Sequence, residues 1–246
     1  MIIILIIFMI LFSSASAQSN IVPQFSSVLE SNKQNHMVRW ICYGDTLSTE
    51  MSDEHGFIVQ LDGFWITSEE ITQDLWEWYM KANPSAVVGD SMPVTGISKD
   101  EVDEFCHQVN ISTGAEWRLP TVEEWLTACR GGAATEKYTY SGSDNHHYVA
   151  WTNDNSKGKP HRTALLIPNE TKVYDMDGNV AEMVTDGDSI IFMGGSFLDK
   201  FPSKGKKKIT FNHRFPTPPK QAQGFRIVQH KPLWFNIYGE CVPHQP

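Results

Sequence analysis

The chain has 246 residues, of which 41% are hydrophobic, 20% charged and 11% aromatic, and this composition excludes disordered, collagenous and repeat classes. Twenty Lys+Arg against 29 Asp+Glu give a formal charge of -9, and no dense basic face interleaved with aromatics offsets it, so no nucleic-acid partner is expected. Four cysteines are too few for a disulfide-built miniprotein, and none stands in the C-x-x-C pair of a zinc ribbon or thioredoxin-like centre.

The chain opens with an apolar run, Met1 to Phe12, followed by the small residues Ser13-Ser14-Ala15-Ser16-Ala17. This is the pattern of a secretory signal peptide over 1–17, cleaved after Ala17. No Lys or Arg precedes the run, so a retained anchor is the alternative. A bilayer span needs about 20 apolar residues, which favours cleavage and leaves no transmembrane span expected in the mature protein. The expected location is secreted, periplasmic or cell-envelope, where disulfides form and calcium is available. A polar lead-in covers 18–54, a single domain 55–230 and a C-terminal tail 231–246.

Within the domain, Phe57 to Ile66 alternates as a strand does, and Thr72 to Lys81 carries the i,i+4 pairs Leu75/Tyr79 and Trp76/Met80 of a helix. Ser98-Lys99-Asp100-Glu101 is a capping box, after which Val102, Phe105, Cys106 and Val109 fall at helical spacing. Thr121-Val122-Glu123-Glu124 repeats the device, and Val122, Trp125, Leu126 and Cys129 repeat the spacing until Gly131-Gly132 ends the helix. Both cysteines are therefore expected to face the core. From Gly131 to Pro219, Gly, Asn, Asp, Ser and Pro are frequent, which predicts loops with brief strands and an α+β class overall.

Four features carry candidate chemistry. Asp175-x-Asp177-Gly178-Asn179-Val180-x-Glu182 packs three carboxylates and an amide into eight residues, an oxygen-rich set that suits calcium, although its spacing is not that of an EF-hand. Its bland counterpart is a solvated acidic turn. Lys200 to Lys208 holds five lysines, either a solvated loop or a contact for an acidic partner. His146-His147 is the one close histidine pair, and no third ligand stands at a diagnostic spacing, so a surface loop is expected rather than zinc. Asn110-Ile111-Ser112 and Asn169-Glu170-Thr171 are glycosylation sequons by pattern. Neither G-x-S-x-G, a phosphate loop nor H-E-x-x-H occurs, so hydrolase and nucleotide chemistry find no support.

Arg118-Leu-Pro-Thr-Val-Glu-Glu-Trp-Leu-Thr-Ala-Cys-Arg-Gly-Gly132 and Tyr174-Asp-Met-Asp-Gly-Asn-Val-Ala-Glu182 resemble, in order and in detail, the formylglycine-generating-enzyme or sulfatase-modifying-factor family. Phe64-Trp65-Ile66 with Glu70-Ile71-Thr72, Pro93-Val94, Ala150-Trp151 with Asn155-Ser156, Gly194-Gly-Ser-Phe197 and Gly224-Phe-Arg226 extend the resemblance from about Phe57 to Val228. It implies an irregular, loop-rich α+β fold related to the C-type lectin fold. It also implies calcium at Asp175, the carbonyls of Gly178 and Val180, and Glu182.

The family's activity is not implied. Its enzymes oxidise a substrate cysteine with copper held by two thiolates, and soft ligands suit cuprous copper. Here Asp199 stands at the first cysteine position and the second falls within Lys204 to Lys206, so no copper and no formylglycine generation are expected. The resemblance thus points to a binding or assembly component with a peptide or glycan ligand at Asp199, Arg214 and Arg226. The alternative is a cysteine-independent enzyme using those residues, and a buried Asp199 beside an Arg would favour it. In some family members the cysteines matching Cys106 and Cys129 bond to C-terminal strands, at positions that here are approximately Phe211 and Ile227. Cys42 and Cys241 are the other candidates; three pairings are open, and a bond from Cys241 to Cys106 or Cys129 is expected.

Overall fold

The computed structural model describes residues 64–89, 91–113, 116–132, 138–202 and 213–230, together with strand backbones at 38–41, 48–50, 58–60, 234–235 and 241–242. The leader with Ala17, Cys42, Lys204 and Lys206 lie outside the described residues.

Local signals place the helices. α1 (Gln73–Met80) begins after an extended Thr72 and ends where Lys81 turns left-handed at φ 61°. In α2 (Lys99–Thr113) the Glu101 carboxylate accepts the N–H of Ser98 at 2.8 Å and the Ser98 hydroxyl accepts that of Glu101 at 3.3 Å. The same reciprocal pair, Thr121 with Glu124, opens α3 (Val122–Cys129) and satisfies two otherwise orphaned donors. Arg118 then grips Glu124 through two bonds of 2.8 Å, so the residue that caps the helix is itself held in place.

The strands, in chain order, are β1 (Val38–Ile41), β2 (Ser48–Glu50), β3 (Ile58–Gln60), β4 (Phe64–Thr67), β5 (Trp117–Arg118), β6 (Ala150–Trp151), β7 (Asp177–Gly178), β8 (Ala181–Asp186), β9 (Ser189–Met193), β10 (Arg214–Phe215), β11 (Gln223–Gly224), β12 (Val228–His230), β13 (Trp234–Phe235) and β14 (Cys241–Val242). One sheet runs β1-β4-β12-β5 and a second β10-β9-β8-β11; β2-β3, β6-β7 and β13-β14 pair separately. The single strand expected over Phe57 to Ile66 is two strands in different sheets, and the sequence between them carries Asp62-Gly63, a pair that favours turns. β8 and β9 form an antiparallel hairpin around Gly187, which adopts φ 59°.

This hairpin divides two cores by simple alternation. Ala181, Met183 and Phe192 enter one core with Trp76, Phe105 and Phe225, while Val184 and Met193 enter the other with Phe64, Trp125 and Met176. Trp76 stacks on Phe105 at 5.3 Å and Phe225 meets both rings edge-on, at 5.9 and 5.5 Å. Val102, Phe105, Cys106 and Val109 face the first core, and Val122, Trp125 and Cys129 the second, as their spacing predicts. Glu182 lies on the Trp125 side of β8, so a carboxylate is carried into an apolar layer.

Candidate functional site: a buried acidic loop and its surroundings

The segment 174–182 is the hub of the loop-rich half. Gly178 adopts φ 77°, and a Cβ there would lie 2.3 Å from the Trp151 carbonyl oxygen, so only glycine fits between β6 and the turn. Its N–H donates to the Gly194 carbonyl at 2.9 Å, the Asn179 N–H donates to the Trp151 carbonyl at 2.8 Å, and the Phe197 N–H donates to the Asn179 carbonyl at 2.8 Å. The Asn179 amide donates to Glu70 at 2.7 Å and accepts the His161 N–H at 2.9 Å. Motifs far apart in the chain are thus joined through one turn.

Three carboxylates, Glu70, Asp175 and Glu182, are buried around one guanidinium, Arg226. Arg226 is wholly enclosed: Nε and one terminal nitrogen donate to the two oxygens of Glu182 at 2.6 Å each, and the rest of the fork reaches the carbonyls of Thr67 and Tyr174 at 3.0 Å. The Trp125 indole N–H adds a third bond to Glu182 at 2.6 Å. One cation cannot balance three anions. Burial, then the charges of Asp175 and Glu182, push Glu70 well above the usual carboxylate range. Burial likewise lifts Asp175 to about 7, against the opposing pull of the Ala164 N–H and of Arg226. One oxygen of Asp175 accepts that N–H at 2.7 Å; the other, Oδ1, is buried without a hydrogen-bond partner.

The calcium set implied by the resemblance fits these residues only in part. Asp175 offers a buried, unpartnered oxygen. Glu182 has both oxygens already bonded to Arg226 and one also to Trp125, so its carboxylate is held first as the counter-charge of that guanidinium. The solvated acidic turn does not occur either, because Asp175, Asp177, Asn179 and Glu182 are all buried.

The expected binding trio is not assembled. Arg226 lies in the core, whereas Arg214 is half exposed on β10 and pairs with Asp186 at 3.0 Å. Asp199 is half-buried, and its Oδ2 accepts the N–H and the hydroxyl of Ser196 at 2.8 and 2.7 Å, closing the turn after Gly194-Gly195. It touches neither arginine by hydrogen bond or ion pair. The lysine run is represented among the described residues by exposed Lys200 alone.

Cys106 and Cys129 are buried free thiols in the structure, each sulfur enclosed in its own core and Cys129 lying against His213 at 3.7 Å; the side chains of their expected partners Cys42 and Cys241 lie outside the described residues. The backbone of Cys241 belongs to β14, paired with β13. Neither sequon presents a free amide: Asn169 is buried and donates to the Ala128 carbonyl at 2.7 Å, and Asn110 holds both backbone groups of Trp117.

Two groupings of potential ligands escape local spacing. Asp154 lies 3.2 Å from His146 and 3.5 Å from His147, supplying the third donor that adjacent histidines lack in sequence. Cys129, Asp177 and His213 come together from α3, β7 and the residue before β10. No helix among the described residues is long and apolar enough to cross a membrane.

Comparison with known proteins places this geometry. The chain is 29% identical over 189 residues to "Chaperone protein LppX" of Paenibacillus barcinonensis, a match covering 56% of this chain and 68% of that protein. Among solved structures it superposes on Treponema denticola variable protein 1 with a TM-score of 0.61 at 20% identity, covering 79% of this chain and 92% of that one. CarF gives 0.58 at 20% identity with coverage of 79% and 98%, and PvdO from Pseudomonas aeruginosa 0.55 at 18% with 78% and 90%. These likenesses show the fold. The sulfatase-modifying factor enzyme 1-like domain matches residues 26–231, more than four fifths of the chain, and together with the loop that joins its motifs this shows that the chain belongs to that family.

Proposed function

We propose that this chain is an exported binding or assembly protein of its family, without copper, whose ligand is a peptide or glycan. The observation that carries the reading is the use made of Asp199. The side chain at the first copper-cysteine position closes a turn onto Ser196 and supplies a hard oxygen where a soft metal needs thiolate. Asp199, Arg214 and Arg226 are spent separately on a turn, an exposed ion pair and a core salt bridge, which removes them as a joint acid–base group for the enzyme alternative and equally as one joint ligand site. The name of the Paenibacillus relative supports an assembly role. Calcium enters in a narrower form than the resemblance implies, as a cation at the unpartnered oxygen of Asp175.

The test has two arms. With copper, oxygen and a sulfatase-type cysteine peptide, mass spectrometry should find no aldehyde; its formation overturns the reading. Material co-purifying with the native exported protein should contain a stoichiometric peptide, glycan or protein of unchanged mass. A partner recovered with a covalent mass change that depends on this chain would instead establish the enzyme alternative.

A further inference from the structure

We propose that Cys129, Asp177 and His213 form a site for one divalent transition-metal ion of the zinc type. The three side chains are buried, at 1%, 0% and 8% exposure, and their donor atoms all lie within 4.8 Å of one another. Nδ1 and Nε2 of His213 are 3.7 and 3.8 Å from the Cys129 sulfur, and Nδ1 is 3.1 Å from Oδ1 of Asp177. Tetrahedral zinc with ordinary bond lengths separates sulfur from nitrogen by about 3.6 Å and nitrogen from oxygen by about 3.3 Å. These two separations suit such a site, and the third, sulfur to carboxylate, is no more than 4.8 Å.

An independent observation points the same way. Oδ2 of Asp177 accepts the Ser141 N–H at 2.7 Å, whereas the buried Oδ1 makes no hydrogen bond of good geometry and has His213 Nδ1, at 3.1 Å, as its ion-pair neighbour. A buried carboxylate oxygen left in that condition is costly, and a metal ion is one partner that satisfies it. The charges also close: a dication, a thiolate and a carboxylate sum to zero, so the loaded site adds no net charge to the interior, and the thiol proton leaves to solvent.

The surroundings are those of a held ligand set. The Ser141 N–H fixes Asp177, the Asn169 amide donates to the Cys129 carbonyl at 3.3 Å and to the Ser141 hydroxyl at 3.0 Å, and the Trp125 ring packs on His213 at 5.5 Å. Such partners orient ligands and tune affinity. A nucleophilic Cys–His–Asp relay could use the same residue types, but Cys129 is walled in by the second core and no substrate carbonyl reaches its sulfur. Burial, and next the charge of Asp177, raise the Cys129 thiol well above its ordinary range, which also works against a resident thiolate until a metal supplies the compensating charge. This inference does not depend on the proposed binding role.

Cobalt(II) distinguishes this site from the half-exposed His146–His147–Asp154 group, since only a thiolate ligand gives a sulfur-to-cobalt charge-transfer absorption. Full-length mature chain, stripped with chelator under reducing conditions, should take up cobalt with that absorption, saturating at one ion whose signal zinc abolishes by competition. His147→Ala should keep the absorption, Cys129→Ser should lose it, and Asp177→Asn should weaken zinc binding by roughly tenfold or more. His213→Gln serves if Cys129→Ser does not fold. No thiolate absorption at saturating cobalt, or an undiminished one in folded Cys129→Ser or His213→Gln, overturns the proposal.

Discussion

Replacing Asp175 by Asn tests the electrostatics of the acidic loop directly. Asp175 is 3% exposed and is lifted from 3.8 to about 7 mainly by burial, so the folded protein holds this proton more tightly than the unfolded chain does. For an acid shifted upward, the stabilisation is complete below the unfolded pKa and is lost as pH rises toward the folded one. A tenfold change in acidity is worth about 1.4 kcal/mol, so a shift of this size, which Asp175 shares with the neighbouring Glu70, removes on the order of 3 kcal/mol of stability between pH 4 and pH 7. Glu70, raised by the same burial, acts in the same direction. Chemical denaturation in chelator should therefore show stability falling from pH 4.5 to pH 8. Asp175→Asn, which keeps the acceptor for the Ala164 N–H, should flatten that fall and be the more stable protein at pH 8. Calcium in excess should reverse the order for the wild type by holding Asp175 ionised, and should do nothing for the variant. A wild-type profile that is flat or rises over this range in chelator would refute the argument. Identical profiles with and without calcium would sink calcium at Asp175 while leaving the proton argument standing.

Glu182→Gln should cost about 3–5 kcal/mol in denaturant unfolding, because it leaves the enclosed Arg226 without its counter-charge; a loss under 1 kcal/mol would show that the pair is dispensable. Thr121→Ala removes one half of the cap on α3 and should lower stability by about 1 kcal/mol without changing the far-ultraviolet circular dichroism. Cys106 and Cys129 should resist alkylation in the native protein and react once it is unfolded; a peptide bridging either of them to Cys241 in a non-reducing map would contradict the free thiols described above.

The elements that spacing revealed are those whose causes are local. Ser98 to Glu101 and Thr121 to Glu124 cap helices because both partners lie within one turn, and the apolar faces behind them follow from the helical period alone. The burial of Cys106 and Cys129 was legible for that reason, whereas a partner for them was not, since a disulfide is decided by tertiary distance. The acidic loop was legible as a concentration of chemistry, but its meaning comes from residues that no window contains. Asn179 finds Glu70 across 109 positions, Glu182 finds Arg226 across 44, and Cys129 finds His213 across 84. Only His146 and Asp154, eight apart, lay within reach of a wider search for a third ligand.

The same distances explain why Asp175, Asp177 and Glu182, written side by side, do three different things. Glu182 sits on the alternation of β8 that faces Trp125, where Arg226 meets it and turns it into a strut. Asp177, on β7, is delivered beside Cys129 and His213. Asp175, held at φ 54° before the turn, accepts the Ala164 N–H through one oxygen and otherwise shares with Glu70 and Glu182 a claim on the one guanidinium. One cation held by Asp175, Glu182 and the carbonyls between them was the reading of a linear string of carboxylates; in the fold, the string is divided between a buried ion pair, a proton-holding acid and a thiol–imidazole cluster. Charge that looks like a binding site in sequence is here mostly internal structure, and the two oxygens of this string that make no hydrogen bond, Oδ1 of Asp175 and Oδ1 of Asp177, the latter beside His213, are where the remaining binding capacity lies.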